Sequence, residues 1–242
     1  MSSASNAPQF HDHEEVIART LRGCEAARDA AQALVTAIKS ADEASFATVK
    51  AREEELDTLD REVNEGVTAA IANCSDPAHG RELLACLKFI IELERIGDLL
   101  LSFANRLRSC ANRLDEQDRK DLAAMADVTH RMMAGVYDAF TTREPSKAAT
   151  VIRTDAELDR LRNLTFVRHI ENPEGEPRKE SFHVVFMAQT LERAGDHAKN
   201  LAEEVVHLVT GRSVRHLLRS FDKPWENLVI DSMRKKSAER RK

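Results

Sequence analysis

The frame Leu-Glu-Arg-x-Gly-Asp occurs twice, at residues 93–98 and 191–196, with five of its six positions identical. A second block repeats without a gap. Val49-Lys50-Ala51-Arg52-Glu53-Glu54-Glu55-Leu56-Asp57 aligns with Val151-Ile152-Arg153-Thr154-Asp155-Ala156-Glu157-Leu158-Asp159. The offsets are 98 and 102 residues, so the connection between the blocks is four residues shorter in the second copy. Self-similarity over so long a period means that one supersecondary unit has been doubled. Any fold for this chain must hold two such units in tandem, each with one acidic block on its middle segment and one on its last.

The units are helical. The chain has only eight Gly, six Pro and 5% aromatic residues against 42% hydrophobic ones, which supports a sizeable core and favours helices over a turn-rich sheet. Breaks gather at Asp76-Pro77-Ala78-His79-Gly80, Glu144-Pro145 and Pro173-Glu174-Gly175-Glu176-Pro177, where proline lacks the N–H a helix needs. Between them apolar residues recur at three and four positions, as in Leu83, Cys86, Leu87, Ile90 and Ile91, or Val184, Met187, Ala188 and Leu191. The spacing predicts six helices, at about 12–40, 43–74, 81–113, 116–143, 146–171 and 179–210. Long amphipathic helices joined by short connections pack as antiparallel neighbours. The expected fold is all-α: two tandem three-helix bundles related by a pseudo-twofold, at residues 12–114 and 115–211. A disordered N-terminus is expected at 1–11 and a C-terminal extension with a basic tail at 212–242.

No apolar run approaches the roughly 18–20 residues needed to cross a bilayer, and the first residues have neither the basic start nor the apolar stretch of a signal peptide. Cys24, Cys74, Cys86 and Cys110 form no CxxC and read as reduced thiols rather than a disulfide set. A cytoplasmic location is expected.

The acidic blocks carry the chemistry. Glu53/Asp57, Glu94/Asp98, Asp155/Asp159 and Glu192/Asp196 are each spaced by four, which puts both carboxylates of a pair on one helix face. Carboxylates converging from two helices make a hard, oxygen-rich site for a divalent or trivalent cation. The plainer reading, in a chain 32% charged, is that they are solvated faces of long helices. Gly97 and Gly195 stand between the acids in mid-helix, where Gly costs about 1 kcal/mol relative to Ala. Their equivalent positions point to close approach by a neighbouring helix or a bound cluster.

These residues resemble a known family. Glu192-Arg193-Ala194-Gly195-Asp196-His197-Ala198-Lys199-Asn200-Leu201-Ala202-Glu203-Glu204-Val205 is similar to the signature of the PhoU family of phosphate-uptake regulators, and so is Glu94-Arg95-Ile96-Gly97-Asp98 in the first unit. The resemblance covers residues 15–216, including a Gly211…Arg215-His216 ending. It implies a cytoplasmic protein that restrains uptake when phosphate is plentiful, acting with a high-affinity phosphate ABC transporter and the membrane histidine kinase of the phosphate regulon. Association as a homodimer, and at most peripherally with the inner face of the membrane, is expected with it. Some members bind iron or zinc clusters through their acidic motifs. On that basis the second unit is expected to hold the more complete metal site, at Asp155, Asp159, Glu192, Asp196 and Asn200. The first, at Glu53, Asp57, Glu94 and Asp98, departs from the family frame: Leu99, Leu100, Leu101 and Ser102 replace its His-Ala-x-Asn continuation. That run reads as core, with partner docking as the alternative.

Weaker candidates remain. His197 adjoins Asp196 but points elsewhere on a helix, His11-Asp12-His13 reads as a fraying end, and Cys74 and His79 receive no role. No Gly-rich phosphate loop, His-Glu-x-x-His run or nucleophile elbow is present, so no dedicated phosphate site is expected. Residues 234–242 carry six basic residues and one acid, leaving the rest of the chain at −10. The tail suits solubilisation or contact with anionic lipid, and the acidic body argues against nucleic acid. A non-enzymatic regulatory adaptor is the leading reading, with a carboxylate-bridged, metal-dependent phosphoester hydrolase as the alternative.

Overall fold

The computed structural model describes residues 13–171 and 179–212. Expectations for the N-terminal segment, the proline-rich connection and the basic tail lie outside the described residues. Aspartates start several helices. Asp42 accepts from the Ser45 amide at 2.8 Å, Asp76 from Ala78 at 2.8 Å and Asp115 from Asp118 at 2.7 Å, each satisfying a donor that a first helical turn leaves free. Among the described residues there are six α-helices: α1 His13–Ser40, α2 Glu43–Ile71, α3 Pro77–Cys110, α4 Glu116–Thr142, α5 Pro145–Phe166 and α6 Lys179–Thr210.

Four ends differ from the expected ones by three residues or more, among them that of α3, which stops at Cys110 with a single 3-10 turn, Ala111–Arg113, after it. α2 stops at Ile71, short of 74. α3 begins at Pro77 rather than 81, because Asp76 caps it and Pro77 takes the first turn, where the missing N–H was unpaired in any case. The segment that reads as a break is a helix start. α5 ends at Phe166 and a π-helical turn, Val167–Glu171, follows it.

α1, α2 and α3 pack together, as do α4, α5 and α6, and the two sets join where α1 meets α4 and α3 meets α6. Each helix at the join faces its own repeat equivalent, the arrangement a pseudo-twofold produces, and α2 and α5 are left on the outer flanks. α1 reaches α2, α3 and α4 because its buried positions include Ala26, Ala27, Ala30, Ala31, Ala33 and Ala37, whose small side chains allow close approach. Phe89 of α3 stacks on Phe140 of α4 with ring centroids 4.4 Å apart, and one contiguous apolar core runs through both bundles. Leu100 is fully buried and Leu101 packs against the core. The four cysteines are free, and burial pushes the Cys86 thiol up to about 11. No described helix is long and apolar enough to cross a membrane.

Candidate functional site

The two repeated motifs are the two sides of one contact. A Cβ on Gly97 of α3 would lie 2.8 Å from Leu56 Cδ1 of α2, and one on Gly195 of α6 would overlap Leu158 Cδ2 of α5. The mid-helix glycines therefore admit a neighbouring helix, and in doing so they draw the acidic block of each last helix against that of its middle helix.

In the first unit the acids gather without an ion pair among the described residues, opposed by the charge of Lys50 on Glu53 and of Arg95 on Glu94. Burial, then the charges of Asp57 and Asp98, push the Glu53 carboxyl above its ordinary value. Burial, then Asp98, Asp60 and Asp57, do the same to Glu94. Among the described residues none of Glu53, Asp57, Glu94 and Asp98 forms an ion pair. Asp60, which the repeat did not single out, joins them and accepts from Asn64 at 3.0 Å.

The second unit is built differently. Lys199 donates to Asp155, which is 6% exposed, and Arg162 donates to Glu192 at 3.3 Å. Burial works to lower the Lys199 ammonium, but the Asp155 hydrogen bond and charge outweigh it and raise it. Glu192 is pushed up by burial and Asp196 against the opposing Arg162. Asp196 is pushed up by burial and Asp155. At the repeat offsets Lys199 corresponds to Leu101 and Arg162 to Asp60. The first cluster thus has five carboxylates where the second has four carboxylates and two cations.

Asn200 does not face Asp155. It donates to Glu92 of α3 at 3.3 Å, and His197 Nδ1 lies 2.5 Å from the same Glu92 oxygen. Burial would raise Glu92, but these two hydrogen bonds prevail and lower it. Both residues therefore serve the seam between the bundles.

Among the described residues no three His, Cys, Asp or Glu side chains converge closely enough to hold a metal ion. The donor chemistry still distinguishes the clusters. In the second, the Lys199 ammonium and Arg162 guanidinium already pair with Asp155 and Glu192, while Asp159 and Asp196 form no ion pair among the described residues, so an iron or zinc cluster would have to displace two cations. The hard oxygen donors of the first form no ion pair among the described residues, and the charges of Lys50 and Arg95 only partly offset their repulsion.

Two further arrangements escaped the sequence reading. His13 of α1 stacks on His79 of α3 with centroids 4.0 Å apart. Asp118, wholly buried, meets His169 Nε2 at 2.9 Å, and His169 Nδ1 lies 3.0 Å from Ser181 Oγ. That buried chain pins the starts of α4 and α6 to the π-helical turn, and Arg168 also donates to Asp118.

A family model described as the PhoU domain matches the chain twice, over residues 20–107 and 122–205. These spans lie within α1–α3 and α4–α6. The chain is 28% identical over 187 residues to the phosphate-specific transport system accessory protein PhoU homolog of Pseudomonas putida, across 76% of this chain and 73% of that protein. To the homolog so named from Caulobacter vibrioides it is 31% identical over 188 residues, across 74% of this chain and 80% of the other. The crystal structure of PhoU from Pseudomonas aeruginosa superimposes with a TM-score of 0.75 at 24% identity, covering 84% of this chain and 100% of that one. That of the phosphate transport system regulatory protein PhoU from Streptococcus pneumoniae gives 0.71 at 20% identity, covering 83% and 96%. Both share the fold.

Proposed function

The chain belongs to the PhoU family, and from that premise we propose that it is an accessory protein of a phosphate transport system. In this reading it restrains a high-affinity phosphate ABC transporter and the sensor histidine kinase of the phosphate regulon while phosphate is abundant. The observation that carries the reading is the double PhoU domain match, one copy on each bundle. Relatives at 28% and 31% identity named as phosphate-specific transport system accessory proteins support it. The protein acts in the cytoplasm or at the inner face of the membrane, as a homodimer, and its role is adaptor rather than enzyme. A clean deletion is expected to raise phosphate uptake and to leave starvation genes on in phosphate-rich medium; unchanged uptake would sink the proposal.

The metal-binding part of the reading belongs to the first unit. Glu53, Asp57, Glu94 and Asp98 would receive an iron or zinc ion after side-chain adjustment, and such an ion would neutralise their mutual repulsion. Support comes from the absence of any ion pair to these four among the described residues. Elemental analysis of protein purified without chelator tests it. Metal present in wild type and in Glu192→Ala/Asp196→Ala, but lost in Glu94→Ala/Asp98→Ala, is the expected result. Loss only in the second-unit variant would assign the ion to Asp155, Asp159, Glu192 and Asp196 instead.

A further inference from the structure

The arginine of the repeated Leu-Glu-Arg-x-Gly-Asp frame plays no part in either acidic cluster's ion pairs. Its two copies, Arg95 and Arg193, line a single cleft of about 460 Å³ at the α3–α6 seam, together with Asp98, Leu99, Ser102 and His197. The seam explains why. α3 and α6 run antiparallel, with Lys88 meeting Glu204, Glu92 meeting Asn200 and Arg106 meeting His183. Residues 97 and 195 therefore stand at the level where the pseudo-twofold crosses. Side chains within a turn of that level come together from both copies, so one arginine codified once in the motif becomes two on one surface.

We propose that this cleft binds a phosphoryl oxyanion that still carries a proton. Both guanidiniums are exposed, and among the described residues neither makes a hydrogen bond or ion pair. Guanidiniums present planar forks of N–H donors matched to tetrahedral oxyanions. His197 holds Glu92 through Nδ1, which leaves Nε2 for the cleft, as an acceptor when the ring is neutral and a donor when it is charged. The Ser102 hydroxyl makes no other hydrogen bond among the described residues. Asp98 selects between anions. Its carboxylate only accepts hydrogen bonds, so it takes the P–O–H proton of hydrogen phosphate and repels an oxyanion such as sulfate that has none at neutral pH. A linear phosphate-loop motif is absent because the donors are supplied by two helices far apart in sequence. The cleft shares Asp98 with the first acidic cluster but draws nothing from the domain match, so its failure leaves the regulatory reading standing.

The test is isothermal titration calorimetry of the full chain at mildly acidic pH, where each phosphoryl ligand keeps a proton, with inorganic phosphate, with adenosine triphosphate in metal-free buffer, and with sulfate. The first two arms separate a free ion from a nucleotide as the source of the phosphoryl group. Saturable binding of either, weakened at least tenfold in Arg95→Gln/Arg193→Gln and unchanged in Arg160→Gln (an exposed arginine of α5 outside the cleft), is the expected result. Sulfate is expected to bind at least tenfold more weakly than phosphate in wild type and to gain on it in Asp98→Asn. Because both arginines are exposed and unpaired, the double variant should keep its circular dichroism spectrum and melting temperature. No saturable binding of either phosphoryl ligand, binding unaltered in the double variant, or equal affinity for sulfate and phosphate would each overturn the site.

Discussion

Gly195 lies so close under Leu158 that a single added methyl would overlap the leucine Cδ2, and the equivalent pair Gly97 and Leu56 has the same relationship at 2.8 Å. Each pair joins one repeated motif to the other. The glycine's conformational freedom is not at issue in mid-helix; its missing side chain is what sets the distance between the helices.

Gly195→Ala and Gly97→Ala should each destabilise the fold by about 1–3 kcal/mol through overpacking, despite the roughly 1 kcal/mol gain in helix propensity. Urea denaturation measures the loss. Adding Leu158→Ala to Gly195→Ala should cost less than the two single effects combined, since the overlap is then relieved. Simple additivity would show that the leucine is not what the new methyl meets.

Lys199→Met leaves Asp155 buried without its cation and should cost about 1–3 kcal/mol. Asp155→Asn/Lys199→Met should recover part of that. An unaltered denaturation midpoint in the single variant would mean that the pair contributes nothing to stability.

Glu92 and Glu94, two residues apart, should titrate stability in opposite senses. Glu92 is lowered in the folded state, so its contribution is present above the ordinary glutamate value of about 4.3 and is lost as pH falls through the folded value. The difference in stability between wild type and Glu92→Gln should therefore shrink on acidification. A difference that is flat from neutral pH down to pH 3 would remove Glu92 from the seam's energetics.

Glu94 is raised in the folded state. Its favourable contribution is complete below the unfolded value and disappears as pH rises through the folded one. At neutral pH Glu94→Gln should accordingly stabilise the protein by a few tenths of a kcal/mol, the scale of an exposed like-charge pair. Urea midpoints for both proteins at pH 4 and pH 7 check the sign.

The doubling and the helix count were legible in the sequence because apolar spacing and repeated motifs are local signals. The position of the first turn of α3 was not. Asp76-Pro77 reads as a terminator until the cap is seen, after which it reads as a beginning. The alternative left open at Gly97 and Gly195 could be resolved only by knowing that Leu56 and Leu158 lie opposite them. For the acidic clusters, the aligned pairs Asp60/Arg162 and Leu101/Lys199 were available in the sequence, but they fall outside the matched blocks. Their meaning depends on which side chains a helix turns toward its neighbour. Asn200 shows the limit of motif transfer: one position from Lys199, it faces another helix entirely.

A body with a pseudo-twofold offers any partner two copies of the same contour, one on each outer flank. A partner that recognised contour alone would occupy both and assemble two to one. The exchange of Lys199 and Arg162 for Leu101 and Asp60 removes that equivalence, since one flank carries five carboxylates and the other four carboxylates with two cations paired to them. Whatever cation takes the acidic flank, a bound ion or a basic side chain of a partner, would therefore find a single seat, and the duplicated chain would count one.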